Sequence, residues 1–202
     1  MTATTWSKAS WLGWGLMTLA AIGVAGYGAG AMVLSTSGEL PSMPHHFPDR
    51  IIAAAVHFGV GGLVLLIGPF QFLPGLRARR PALHRWTGRV YVAGCIASGI
   101  AALIMSPYVH TGTVARIGFT LLALGWLTTT SLAFIMALQH RFAEHRRWMI
   151  RSYALTLAAV TLRLLLPSAS LLEIPFETAY PVIAYACWVP NVLAAEWFLR
   201  RG

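Results

Sequence analysis

Six long apolar runs divide the chain, at about residues 12–34, 51–73, 90–109, 117–138, 148–166 and 179–199, and charged residues gather in the short segments between them. A bilayer's hydrocarbon core is about 30 Å thick and an α-helix rises about 1.5 Å per residue, so about 20 apolar residues cross it. The pattern therefore predicts an all-α fold, a bundle of six transmembrane helices forming one transmembrane domain over residues 1–202. The stretch from Ser35 to Arg50 carries Pro41, Pro44 and Pro48 without helical periodicity and reads as an irregular loop. The first run follows Lys8 and exceeds the short apolar core of a cleaved signal peptide, so it is expected to be retained.

Composition agrees with lipid as the solvent: 57% of the 202 residues are hydrophobic, 10% are charged, and the mean hydropathy is +0.65. The net charge of +9 would suggest a nucleic-acid partner in a soluble chain. Here the cations flank apolar runs and read as topology, so no nucleic acid is expected. One set of segments holds Lys8, Arg77, Arg79, Arg80, Arg85, Arg89, Arg141, Arg146, Arg147, Arg151, Arg200 and Arg201. The alternate set holds Arg50 and Arg116, with Glu39, Asp49, Glu173 and Glu177. Lys and Arg in short loops stay on the cytoplasmic side, which places both termini in the cytoplasm and offers the arginine clusters to anionic lipid at that face. Trp11, Trp14, Trp86, Trp148 and Trp197 fall near the same interface, and Trp126 falls mid-span. Cys95 and Cys187 lie inside apolar runs and read as small packing residues. Gly26-x-x-x-Gly30 in the first run would let a neighbouring helix approach closely.

Polar side chains inside a span are costly, so each needs a partner or a role. His57, Gly61, Val64, Gly68 and Gln71 form one small, polar helical stripe expected to face the bundle interior, with His57 either hydrogen-bonded to a neighbouring helix or binding a ligand. Arg163 shares a helical face with Ser152, Thr156 and Ala159, and at its depth requires an anion or a set of carbonyls, the candidates being Glu173 or Glu177 or the carboxylate of a ligand. Two basic clusters, Leu83 to Arg89 and Glu144 to Arg151, begin spans running in the same direction, so His84 and His145 can face one another. Facing neutral imidazoles are the usual axial ligands of b-type haem, and arginines such as Arg89 and Arg151 pair with its propionates. Arginines on lipid phosphates are the alternative. His45-His46 lacks a third ligand, so no metal site is expected beyond a haem iron held by His84 and His145. No covalent-haem, metalloprotease, phosphate-loop or hydrolase motif occurs, and the only carboxylate in a span is Glu196. The runs show none of the paired interruptions that mark anion transporters.

Phe-Gln-Phe-Leu-Pro closing the second run, Leu-His-Arg-Trp-Thr-Gly-Arg-Val-Tyr at 83–91 and His-Arg-Arg-Trp-Met-Ile-Arg-Ser-Tyr-Ala at 145–154 resemble the bacterial predicted-membrane-protein family called domain of unknown function 2306. The resemblance extends from the second helix past Arg163, and it implies a multi-pass protein of the bacterial cytoplasmic membrane. His84, Trp86 and Gly88 are also similar to the haem-ligating segment of cytochrome b561-type proteins, which pair histidines between helices two and four and between three and five. His84 and His145 match the three-and-five pair. His57 suits helix two, but helix four has no internal His and only His110 before it, which leaves the second pair incomplete. The expected function is an electron-transfer component binding haem b between His84 and His145, or a quinone, with His57, Arg89, Arg151 and Arg163 as further cofactor-binding candidates. The alternative is a non-catalytic membrane subunit or scaffold that binds anionic lipid or a partner membrane complex.

Overall fold

The computed structural model describes residues 7–36 and 50–201, and these are helical almost throughout. His45, His46 and most of the expected loop around them lie outside the described residues. Among the described residues six segments are long and apolar enough to cross a membrane: Ser10–Gly30, Ile51–Gln71, Pro81–Tyr108, Thr113–Leu138, Phe142–Leu171 and Phe176–Arg201. Helix α1 (Lys8–Thr36) forms span one. Span two consists of α2 (Ile51–Ala55), a π turn (Val56–Val60) and α3 (Gly61–Gln71), followed by the short α4 (Pro74–Arg79). Spans three and four are α5 (Pro81–Met105) and α6 (Thr113–Leu138). Span five divides into α7 (Phe142–Thr156) and α8 (Ala158–Leu171), and span six into α9 (Phe176–Ala186) and α10 (Val189–Arg201).

Helices α5 and α7 begin earlier than hydropathy alone implies, at Pro81 and Phe142 rather than near 90 and 148. Charged and polar residues in the opening turns, Arg85 and Arg89 in α5 and Glu144, Arg146 and Arg147 in α7, hide these starts from a hydropathy reading, although Pro81 at the first helical position is pre-set for helix. His84 and His145 are consequently helical residues rather than loop residues.

The expected continuity of the spans does not hold in three of them. Span two carries its π turn around His57, span five changes to a tighter turn at Leu157, and span six breaks at Cys187 and Trp188. Proline explains the break in span six, because Pro190 cannot donate to the carbonyl four residues earlier. Side chains of span six serve other carbonyls around the break: the Trp188 indole donates to Ala184 O at 2.9 Å, since Trp188 N turns to Tyr185 O, and the Asn191 amide donates to Cys187 O at 3.1 Å. The same amide reaches Ala154 O at 3.3 Å and Thr161 Oγ1 at 3.0 Å, tying the irregular turns of spans five and six together. With no water in the hydrocarbon, these internal partners are what make such interruptions tolerable.

Span two repeats this logic. Pro69 removes the donor that Leu65 O would have used, and the Tyr153 hydroxyl donates to that carbonyl instead at 3.1 Å. Gly68 makes room: a Cβ there would lie 2.0 Å from the Tyr153 ring. Gly94 similarly admits Val64, whose nearest methyl would lie 2.4 Å from an added Cβ. The predicted inward stripe is therefore correct, with Val64, Gly68 and Gln71 buried and His57 and Gly61 half-buried. The expectation for Gly26 and Gly30 fails, since no atom lies within 4 Å of a Cβ built at either. Span one instead packs through Ala21 and Ala25, the latter against Gly62.

Candidate functional site

Helix α6 packs against α5, α7 and α9, and the core between spans three, four and five is polar at its centre. Tyr91 OH lies 2.9 Å from Thr156 Oγ1 and 3.3 Å from Ser152 Oγ. Trp126 Nε1 donates to Thr156 Oγ1 at 2.9 Å, and Thr130 Oγ1 lies 2.7 Å from Ser152 Oγ. All five side chains are buried and each has a partner, so the cluster fixes the three helices against one another without a dangling polar group. Sequence reading placed Ser152 and Thr156 on one face and missed Tyr91, Thr130 and Asn191. The available signal was a set of hydroxyls and one amide inside otherwise apolar runs.

At the arginine-rich end of this core stand the two histidines from α5 and α7. His145 Nδ1 lies 2.8 Å from Ala133 O. A carbonyl only accepts, so Nδ1 is the donor of this bond, and in the neutral ring Nε2 is the nitrogen with the lone pair. His84 Nδ1 is buried without a hydrogen-bond partner. Arg77 and Arg85 are the cationic neighbours of His84, and His145 lies within electrostatic range of it. Arg77, on the connecting α4, is held below the ordinary arginine range by burial first and then by the nearby Arg146 guanidinium. The ion pairs among the described residues are Arg141 with Glu144 and Arg151 with Glu196, so no carboxylate neutralises this group.

The other candidates are elsewhere. Arg151 is held bidentate by Glu196, with Nε to Oε1 at 2.5 Å and Nη2 to Oε2 at 2.9 Å, which ties span five to span six. Arg89 lies over the Trp86 ring, 5.3 Å from its centroid. His57 Nδ1 meets Ser98 O at 3.1 Å, while Ser98 Oγ donates to His57 O at 3.1 Å. Gly61 permits this approach, because an added Cβ would lie 2.9 Å from Ser98 Oγ. Arg163 lies eighteen residues beyond His145 on span five, about 27 Å along the helix axis. It forms no ion pair with Glu173 or Glu177, both of which are exposed. The expected pairing fails because these acids sit in and just after the exposed turn that follows α8, while Arg163 lies two turns back inside the span.

The six candidates therefore divide into a histidine pair near the arginine-rich end, a structural ion pair, a surface arginine, and a separate layer containing His57 and Arg163. Two surface grooves, one around Pro107, Arg116 and Thr120 and one around Arg50, Val56 and Ile104, involve none of them. Among the described residues no three His, Cys, Asp or Glu side chains assemble as a metal site. A bis-histidine haem takes two imidazole nitrogens, the donor type that His84 and His145 carry.

No curated protein and no solved structure matches the chain. The family described as predicted membrane protein (DUF2306) matches residues 54–199, from the first turns of span two almost to the end of span six. That match takes in the histidine pair, the polar core and the Arg163 layer, and the chain belongs to the DUF2306 family of predicted membrane proteins.

Proposed function

We propose that this multi-pass membrane protein is an electron-transfer component that holds one b-type haem between His84 and His145, at the cytoplasmic side of a bacterial inner membrane. One observation carries the reading: the Ala133 carbonyl takes the Nδ1–H of His145, which leaves Nε2 as the nitrogen that can ligate, within electrostatic range of His84. Second-sphere bonds of this kind orient ligating histidines. Arg77, Arg85 and Arg146, rather than the Arg151 already held by Glu196, are the cations available to propionates. The haem, when bound, would supply one-electron chemistry, and the chain supplies ligation and charge.

The test is a visible spectrum of the detergent-purified protein, with and without dithionite, together with haem extraction. The expected result is a Soret band that shifts on reduction and disappears in His84→Ala and in His145→Ala, while His57→Ala retains it. A preparation from haem-replete cells with neither a Soret band nor extractable haem removes the proposal. A second reading is supported by Arg77 standing beside Arg146 with no acid between them: a non-catalytic membrane subunit whose basic end holds anionic lipid. It expects no haem, and retention of phosphatidylglycerol that falls in the Arg77→Gln, Arg146→Gln double variant.

A further inference from the structure

We infer that Arg163 is the anchor of a second binding place, facing the lipid in the half of the bundle away from the arginine-rich end, for the anionic headgroup of an amphipathic acid. The guanidinium is only partly satisfied. Nη1 donates to Ala159 O of its own helix at 3.1 Å, whereas Nε is buried with no partner. Nη2 lies towards Gly28 of span one, 3.9 Å from where an added Cβ would stand, a place that the glycine leaves unfilled. The Tyr27 ring lies below the cation, 5.7 Å from its centroid, and Tyr180 and His57 are its other electrostatic neighbours. All three are uncharged polar groups, and no carboxylate of the described residues pairs with the arginine.

An arginine does not relieve its burial by losing a proton, so a membrane-embedded guanidinium needs an anion or a set of carbonyls, and here Ala159 O supplies one carbonyl to one of its three nitrogens. Nη2, which is not among the guanidinium nitrogens that the chain encloses, is the donor open to an oxygen of a carboxylate or phosphate, and Nε behind it keeps the charge poorly compensated. Depth selects the ligand further. Arg163 lies eight residues before the end of α8 and His57 six residues after the start of α2, so both are about 9–12 Å inside the helix ends. Tyr27 is 66% exposed and Leu164 63% exposed, so this flank of the bundle is open towards lipid. A headgroup reaches this depth from the side only on an apolar tail. The local irregularities serve the same layer: the π turn holds His57 against Ser98, and the turn at Leu157 sets the direction of α8.

The shared chemistry is an acid headgroup on an acyl tail, and its source is either a free carboxylic acid or a lipid phosphate. Thermal unfolding in dodecyl maltoside separates the two, using oleate against oleyl alcohol and dioleoylphosphatidate against dioleoylphosphatidylcholine. At least one acid is expected to give a saturable rise in Tm of several degrees that its neutral counterpart does not, and the acid that responds identifies the source. Arg163→Gln should weaken the apparent affinity at least tenfold. Gly28→Leu, which keeps the arginine and fills the space beside Nη2, should do the same, and Thr129→Val, whose hydroxyl bonds only to its own helix, should leave the response unchanged. The inference is overturned if neither acid acts, if the neutral amphiphiles act equally, or if Arg163→Gln retains the response. Should Arg163→Gln not fold, an unaltered response in Gly28→Leu overturns it.

Discussion

Replacing Gly68 by Ala tests how span two is joined to span five. The added methyl would lie 2.0 and 2.4 Å from two carbons of the Tyr153 ring, where ordinary contact is 3.4–4 Å, so the ring must retreat by about 1.5 Å. Tyr153 is 2% exposed and packs on Phe72 at a centroid distance of 5.5 Å, leaving it little room to move. Retreat also breaks the hydroxyl's bond to Leu65 O, the carbonyl that Pro69 leaves without a helical partner. Overpacking of a tight core costs about 1–3 kcal/mol and a lost buried hydrogen bond about 1 kcal/mol, for a total near 2–4 kcal/mol. At roughly 2–4 °C per kcal/mol for a chain of this size, Tm should fall by about 4–16 °C. Gly26→Ala is the control: nothing lies within 4 Å, so helix propensity alone acts, and the change is neutral or stabilising by up to about 1 kcal/mol. Thermal unfolding in a neutral detergent, followed by tryptophan fluorescence, reads both. In a Tyr153→Leu background the ring is gone, and Gly68→Ala should then cost less than about 1 kcal/mol. Equal stabilities of Gly68→Ala and Gly26→Ala, or full additivity with Tyr153→Leu, would refute the reasoning.

Asn191→Leu removes the amide that serves Ala154 O, Cys187 O and Thr161, and should destabilise the bundle by about 1–3 kcal/mol in the same assay; a neutral result would show that the two helix interruptions need no such bridge. Glu196→Gln weakens a pair whose side chains are 20% and 32% exposed, so the expected loss is below about 1 kcal/mol, and a loss as large as that of Gly68→Ala would mean that Arg151 is more deeply committed than its exposure implies. Thr130→Val leaves Ser152 Oγ with one partner fewer in a fully buried setting and should cost about 1–2 kcal/mol, whereas Thr129→Val, whose hydroxyl bonds only to its own helix, should cost less than half as much; reversal of that order would argue against the central network as the tie between spans four and five.

The amino-acid sequence by itself determined the number and placement of the membrane spans and the inward stripe of span two. Both follow from local rules, the length of apolar runs and the 3.6-residue period, which require no knowledge of neighbours. The bland alternative for His57, a hydrogen bond to an adjacent helix, was also open to that reading, and Ser98 supplies the bond. Helix starts at Pro81 and Phe142 were obscured because hydropathy is blind to a helix whose opening turns are charged and polar. What only the tertiary structure decided is pairing between helices. That Glu196 binds Arg151, that Tyr153 serves the carbonyl freed by Pro69, that Gly26 and Gly30 meet none of the described residues, and that Arg163 has no acid among the described residues all depend on how each helix is rotated and tilted. Those rotations are set collectively by packing, with a proline or π turn shifting every later side chain around the axis, so no single apolar run encodes which residue of another will face it.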